Sequence, residues 1–303
     1  MSASLACVGV VVLDEVFRLP ALPEGDGKYF ATALLEGGGG MAATAAVAAA
    51  RLGGRVAFHG RVGDDEAGRV LQAALARAGV AGAGCRVVPG ARTSRSAVLV
   101  GAEGERMIIL HVDPALDRDP GWLPADALAA SDAVLADIRW PEGARLAFAA
   151  ARRGAGIAVL DADLTDDPTA AGLLPEASHV VFSSAGLARL AGTADLAAGL
   201  ERAAAATGAV VAATAGARGC FWREGGRLRR LPAPALPVLN TLGAGDVFHG
   251  AFALALAERR PLAAALAFAT AAASLKCTRP EGWTAMPARD AVESVAASLA
   301  VTD

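Results

Sequence analysis

The sequence predicts an α/β fold: a central, mainly parallel sheet with helices on both faces. Short apolar runs ending in polar residues recur at 6–12, 56–59, 133–137, 157–161, 179–183 and 210–214. Alanine- and leucine-rich segments of helical length lie between them at 42–52, 67–78, 143–153 and 195–207. Alternation of this kind calls for crossover helices and a sheet buried on both sides. With 303 residues and 54% hydrophobic content, the chain has enough apolar surface for such a core.

The run 6–12 is the first predicted strand, and it stops at Asp14 and Glu15. The glycine run Gly37 to Gly40 then lets the chain turn into the helix expected at 42–52 without steric cost. Two stretches, 29–36 and 92–112, read as extended chain without a helix between strands, the second around the turn Gly101-Ala102-Glu103-Gly104. They predict a small separate sheet, a lid formed from about 13–36 and 92–112 on a single domain spanning 1–303. Arg227, Arg229 and Arg230 mark a solvated hairpin, and an alanine-rich helix follows Gly250.

Composition narrows the function. A net charge of -3 without a basic tract argues against nucleic acid and for a small soluble substrate. Cys7, Cys85, Cys220 and Cys277 lack the spacing of a zinc or dithiol site, and the short apolar stretch 7–13 is neither a membrane span nor a leader, so a cytoplasmic protein is expected. The chain has only Lys28 and Lys276 as lysines and only Asn240 as asparagine. A retained lysine or asparagine therefore carries more weight than usual, and a missing one less.

The strongest motif is Asn240-Thr241-Leu242-Gly243-Ala244-Gly245-Asp246, directly before the alanine-rich helix. Small residues ahead of a helix leave backbone N–H groups bare, and with the helix dipole these hold phosphate oxygens. Asp246, in the first turn, is placed to accept a proton from a substrate hydroxyl. In isolation the same residues would describe a capped helix. The glycine run at 37–40 changes the context, and it is not a dinucleotide fingerprint, because the turn after the first strand carries Asp14.

With both glycine motifs, Gly60-Arg61-Val62-Gly63-Asp64-Asp65 and Thr214-Ala215-Gly216-Ala217-Arg218-Gly219, the chain resembles the PfkB family of carbohydrate kinases from end to end. That resemblance implies a ribokinase-like fold, ATP, and Mg²⁺ bridging the nucleotide phosphates. It implies that Asp246 is the base, that Gly243, Ala244 and Gly245 form the anion hole, and that Asp14, Gly39, Gly40 and Thr44 hold sugar hydroxyls. It also implies that Ser183, Thr214, Gly216, Gly219 and Gly245 line the nucleotide site, with no protein cage for the metal. Three departures stand out. Thr44 replaces a common sugar-binding Asn; Ser183 and Gly186 replace the family's Asn and Glu; Asn240 and Leu242 replace the Asp and Thr or Ser that help bind a monovalent cation in some members.

A closer resemblance, to bacterial sulfofructose kinases, is carried by Gly27-Lys28-Tyr29, by 136–140 including Arg139, and by Lys276-Cys277-Thr278-Arg279-Pro280. It implies phosphorylation of the C1 hydroxyl of 6-deoxy-6-sulfofructose, with Leu110 departing from an expected Asn beside His111. Independently of that resemblance, Lys28 and Arg139 would recognise an anionic group, Arg by forking onto two oxygens and Lys as a point charge. Trp140 is a candidate pocket wall, whereas His59, His179, His249, Trp122, Trp222 and Trp283 read as structural. Other readings are a kinase for 2-keto-3-deoxygluconate, fructose or a sugar phosphate, and a catalytically silent sugar-binding regulator. A homodimer joined through the lid would cover the lid's apolar face.

Overall fold

The computed structural model describes residues 2–102 and 104–302, so Glu103 of the expected turn lies outside the described residues. The chain begins with β1 (Ser4–Val8), β2 (Val12–Arg18) and β3 (Ala33–Gly39), then α1 (Met41–Arg51), β4 (Arg55–Gly63), α2 (Glu66–Arg77) and β5 (Ala81–Val88). It continues through β6 (Arg95–Val100), β7 (Arg106–His111), α3 (Ala125–Ala129), β8 (Ala133–Asp137), α4 (Pro141–Arg153) and β9 (Ala158–Ala162). Next come β10 (His179–Ser183), α5 (Ser184–Ala191), α6 (Leu196–Thr207), β11 (Val210–Thr214), β12 (Cys220–Glu224) and β13 (Arg227–Leu231). Three helices close the chain: α7 (Ala244–Ala257), α8 (Leu262–Cys277) and α9 (Arg289–Ala296).

Among the described residues, nine strands form the large sheet in the order β13-β12-β11-β10-β9-β8-β1-β4-β5. It is parallel from β5 to β11, and β12 runs against the others, pairing antiparallel with both β11 and β13. Strands β1, β8 and β9 are buried at every position, as expected for a sheet covered on both faces. The chain direction of growth reverses between β1 and β8, and the crevice at that switch opens at the carboxyl ends of the strands.

Helices α1 and α7 pack on each other against β1 and β8. A Cβ on Gly250 would collide with the Ala45 carbonyl, so glycine is what lets the two helices touch. That contact brings the N-terminus of α1, with its glycine run, beside the N-terminus of α7, with Asp246. No helix among the described residues is long and apolar enough to cross a membrane.

The predicted first strand, 6–12, is two strands. The apolar run continues across Gly9, but there the chain leaves the large sheet, and β2 belongs to a second sheet ordered β3-β2-β6-β7. A side chain at Gly9 would occupy the place of the Asp137 carboxylate, which fixes the crossing point. In the second sheet β2 runs parallel to β6, and both outer pairs are antiparallel.

Candidate active site

Three polar groups anchor the site at the β1 end. The Asp137 carboxylate, fully buried at the tip of β8, accepts backbone N–H bonds from Val10 (2.7 Å), Ala42 (3.2 Å) and Arg139 (3.0 Å). It thereby ties the β1–β2 turn and the first turn of α1 to the large sheet. Asp14 on β2 accepts from the Ser96 hydroxyl at 2.6 Å, and a Cβ on Gly39 would collide with its carboxylate. Burial pushes the Asp14 carboxyl upward and the Ser96 bond partly opposes it. Gly40 turns the chain into α1 with φ 92°, and a side chain there would meet the Val10 carbonyl at 2.6 Å.

Thr44 lies one turn into α1, buried, and its hydroxyl accepts from Trp283 Nε1 at 3.0 Å. A Cβ built on Gly243 would be 3.6 Å from Thr44 Cγ2 and 4.0 Å from Asp246 Oδ2. The two glycine motifs, some 200 residues apart, therefore share one wall. Gly243 caps α7 with φ 75°, a left-handed conformation that suits glycine, and Ala244 and Gly245 open the helix. Gly245 is exposed. Burial drives the Asp246 carboxyl well above the ordinary carboxylate range, and nearby Asp161, Asp163 and Asp14 add to this while His249 opposes it.

The loop ahead of Gly243 is held by the chain's own donors. The Asn240 amide donates to the Arg279 carbonyl (2.6 Å) and accepts from Leu242 N–H (2.9 Å), and the backbone N–H groups of Leu239 and Asn240 reach the Cys277 carbonyl. Lys276, buried, donates to the Pro280 carbonyl at 2.7 Å. Its ammonium sits in the last turn of α8, where a cation is favoured.

At the β11 end the structure is more open. Ser183 caps α5 by accepting from Gly186 N–H at 2.9 Å, and Thr214 sits beside it in register on β11. Gly216, with φ 55°, has nothing within 4 Å of where a side chain would begin. Gly219 differs, because a Cβ there would strike the Leu231 carbonyl, so its glycine is required by packing on the hairpin.

Residues 2–289 match the pfkB family carbohydrate kinase. The chain belongs to that family. As a pfkB carbohydrate kinase it is 30% identical over 312 residues to a fructokinase from Klebsiella pneumoniae, covering 96% of this chain and 98% of the relative. Among solved structures it is similar to a provisionally named ribokinase from Agrobacterium tumefaciens, with TM-score 0.92, 37% identity and 98% of each chain covered. It is also similar to a ribokinase from Cryptococcus neoformans solved with ADP, with TM-score 0.79 and 27% identity over 97% of this chain and 99% of that one. The ribokinase-like α/β fold expected from the sequence is thus the fold of this pfkB kinase.

Not every candidate residue converges. Lys28 lies on an exposed loop, away from the groups that meet at the site. Arg139 turns its guanidinium toward Met41 Sδ (3.1 Å) and Asp163 (3.8 Å). Trp140 is not a pocket wall: it is 1% exposed, stacks on Trp122, lies under Arg61 and donates to the Arg118 carbonyl. The segment after β8 turns that ring inward, under α4. Conversely, Trp283 packs on Gly38 and bonds Thr44, which makes it part of the site wall. His249, Asp161 and Asp137 also escaped sequence reasoning. Asp137 and Asp161 end predicted strands, and His249 follows Asp246 by three residues, one helical turn; those were the available signals.

Proposed function

We propose that this pfkB carbohydrate kinase transfers the γ-phosphoryl group of ATP to the C1 hydroxyl of 6-deoxy-6-sulfofructose. The observation that carries the reading is the meeting of Asp246 with the left-handed Gly243 cap and the α1 glycine turn, an acid–base group set between an anion hole and a hydroxyl-binding wall. In it Asp14, Gly39, Gly40 and Thr44 hold the sugar, and Asp246 takes the proton of the attacking hydroxyl. The hydroxyl oxygen then bonds to the γ-phosphorus as the bond to ADP breaks, while the N–H groups at Gly243, Ala244 and Gly245 face the developing charge. Ser183, Thr214, Gly216 and Gly219 line the nucleotide side, a role supported by their place at the carboxyl ends of β10 and β11 and by the ADP complex of the Cryptococcus relative.

Mg²⁺, which the family resemblance implies, would neutralise phosphate charge, carried by nucleotide oxygens and water. The small sheet, about 13–36 with 92–112, would act as the lid of the single domain 1–303 and exclude water on closing. Its outward face shows Leu34, Met107 and Ile109, each more than 40% exposed, which a second copy would cover as a homodimer. A cytoplasmic setting is supported by four unpaired cysteines.

Lys28 and Arg139 are the cations proposed to meet the sulfonate. A second reading, a fructose kinase, is supported by the 30% identity to named fructokinases. ADP release measured on 6-deoxy-6-sulfofructose, fructose, fructose 6-phosphate and 2-keto-3-deoxygluconate separates the two. A preference for the sulfosugar that Lys28→Ala and Arg139→Ala selectively remove supports the first reading. Higher kcat/KM on fructose, with equal losses on both sugars in the variants, overturns it, and release with none of them points to a silent sugar-binding protein.

A further inference from the structure

Under the anion hole, buried groups meet in an arrangement that fixes a charge. His249 on α7 is 3% exposed. Its Nδ1 lies 2.7 Å from the Gly245 carbonyl oxygen and its Nε2 lies 3.1 Å from the Val181 carbonyl oxygen on β10. A carbonyl oxygen only accepts, so each ring nitrogen has to carry a hydrogen. A neutral imidazole has one, and its bare nitrogen would face a carbonyl lone pair in a water-free site. The counter-charge is at hand: Asp161 Oδ2, at the end of β9, is 3.3 Å from Nδ1, in a side chain 1% exposed, and has no hydrogen-bond partner of its own.

We propose that His249 is held as an imidazolium, paired with the Asp161 carboxylate, and that this buried cation positions Gly245 of the anion hole and keeps Asp246 in its proton-accepting form. His249 is a positioning residue. It reaches the substrate only through Gly245 and Asp246, so its kinetic consequence rests on Asp246 being the base, while its charge state does not.

The neighbouring groups pull both ways. Burial with the carboxylates of Asp163 and Asp137 raises the Asp161 carboxyl well above its ordinary range while Arg139 opposes them, and burial outweighs the other influences in lowering the imidazole. Facing the imidazole are Asp246 on its own helix and Asp161 and Asp163 at the end of β9; the end of β8 adds Asp137 and Arg139 around Asp161, and β2 presents Asp14 to Asp246. Burial pushes the imidazole toward neutrality, while its two carbonyl partners and the carboxylates of Asp246 and Asp163 draw it the other way. The geometry decides for the charged form, since desolvation cannot supply the missing donor. For Asp246, burial and three carboxylates favour protonation, and the cation at His249 offsets them. A base that must be ionised near neutral pH needs such a group behind it.

Nitrogen NMR of ¹⁵N-histidine-labelled enzyme tests the charge directly. The chain has four histidines, and the His249 signals are those lost in His249→Gln. Both ring nitrogens should appear protonated from about pH 6 to about pH 8.5, above the ordinary titration range of histidine. A neutral tautomer at pH 7.5 overturns the proposal whatever the kinetics show.

The second arm is the pH profile of kcat/KM with ATP and the best sugar substrate. His249→Gln should lower kcat about 10- to 100-fold and move the acid limb upward by about one pH unit. Asp161→Asn removes the counter-charge of the imidazolium, so His249 should lose its second ring proton in the NMR experiment. The limb should again move upward, by less than in His249→Gln because one carboxylate facing Asp246 is lost with it. A thermal midpoint that falls while the limb stays in place in both variants would mark the pair as structural only and overturn the catalytic half. If Asp246→Asn retains full turnover, the reading of the base fails instead, and the NMR result is untouched.

Discussion

At the β1 end of the cleft, long-range bonds fasten every element that meets there. Asp137 reaches Val10 and Ala42, Ser96 reaches Asp14, and Trp283 reaches Thr44, joining residues from both sheets and the C-terminal region. At the β11 end the bonds are short-range or between neighbouring strands. Ser183 caps its own helix, the Ser184 hydroxyl meets the Thr214 carbonyl, and Gly216 borders empty space. On the proposed reading the difference separates two tasks, sugar binding at the β1 end and nucleotide binding at the β11 end. A small sugar offers few contacts, so its site has to be preorganised, whereas a nucleotide brings phosphates and a base that supply their own binding energy.

Asp246 sits between these ends, and its replacement should have the largest effect. Asp246→Asn is expected to reduce kcat about 10²- to 10⁴-fold, the range for losing a general base, with ATP affinity by calorimetry unchanged. A matching loss of ATP binding would mean that Asp246 builds the β11 end and not the chemistry. Next comes Asp137→Ala, which strands three backbone N–H groups at the rigid end. Denaturant unfolding should show a loss of roughly 3 kcal/mol or more, since each orphaned buried donor costs about 1 to 3 kcal/mol. A change under 1 kcal/mol would show that the tight end is not tight.

Asp14→Ala should raise the sugar KM about 10- to 100-fold, the effect of losing a charged hydrogen-bond acceptor, and leave the ATP KM alone. The mirror experiment is Gly216→Ala. No atom obstructs the new methyl group, but φ 55° is disfavoured for alanine, by about 1 kcal/mol. The ATP KM should rise only a few-fold and the sugar KM not at all. Movement of both constants in either variant would show that the ends are coupled.

Much of this was legible in the sequence because the signals were local. The runs 133–137, 179–183 and 210–214 coincide with β8, β10 and β11, since a strand buried on both faces is a contiguous apolar run. The motif 243–246 likewise carries its glycine cap and its carboxylate within four residues. The apolar run at 6–12 misled for the converse reason: hydrophobicity records burial but not which sheet does the burying, and only the Gly9–Asp137 contact marks the crossing. β5 was missed because its glycines, Gly82 and Gly84, hide the pattern of a strand. Asp137, Asp161 and His249 acquire their roles from partners that are mostly on other elements, which no spacing along the chain reveals.

The parallel ladder also sets a length. From β1 through β8, β9 and β10 to β11 there are four strand intervals, about 19 Å at the usual spacing of about 4.8 Å. Asp137 and Asp161 are paired in register, as are Ser183 and Thr214, and because Asp161 pairs with Val181 the second pair stands two residues further out along the strands, so the strand ends follow one another along this edge like marks on a ruler. The separation between the two binding ends is therefore graduated in whole strands. A change of side chain can alter what is bound at a mark, but altering the distance between marks would require adding or removing a strand.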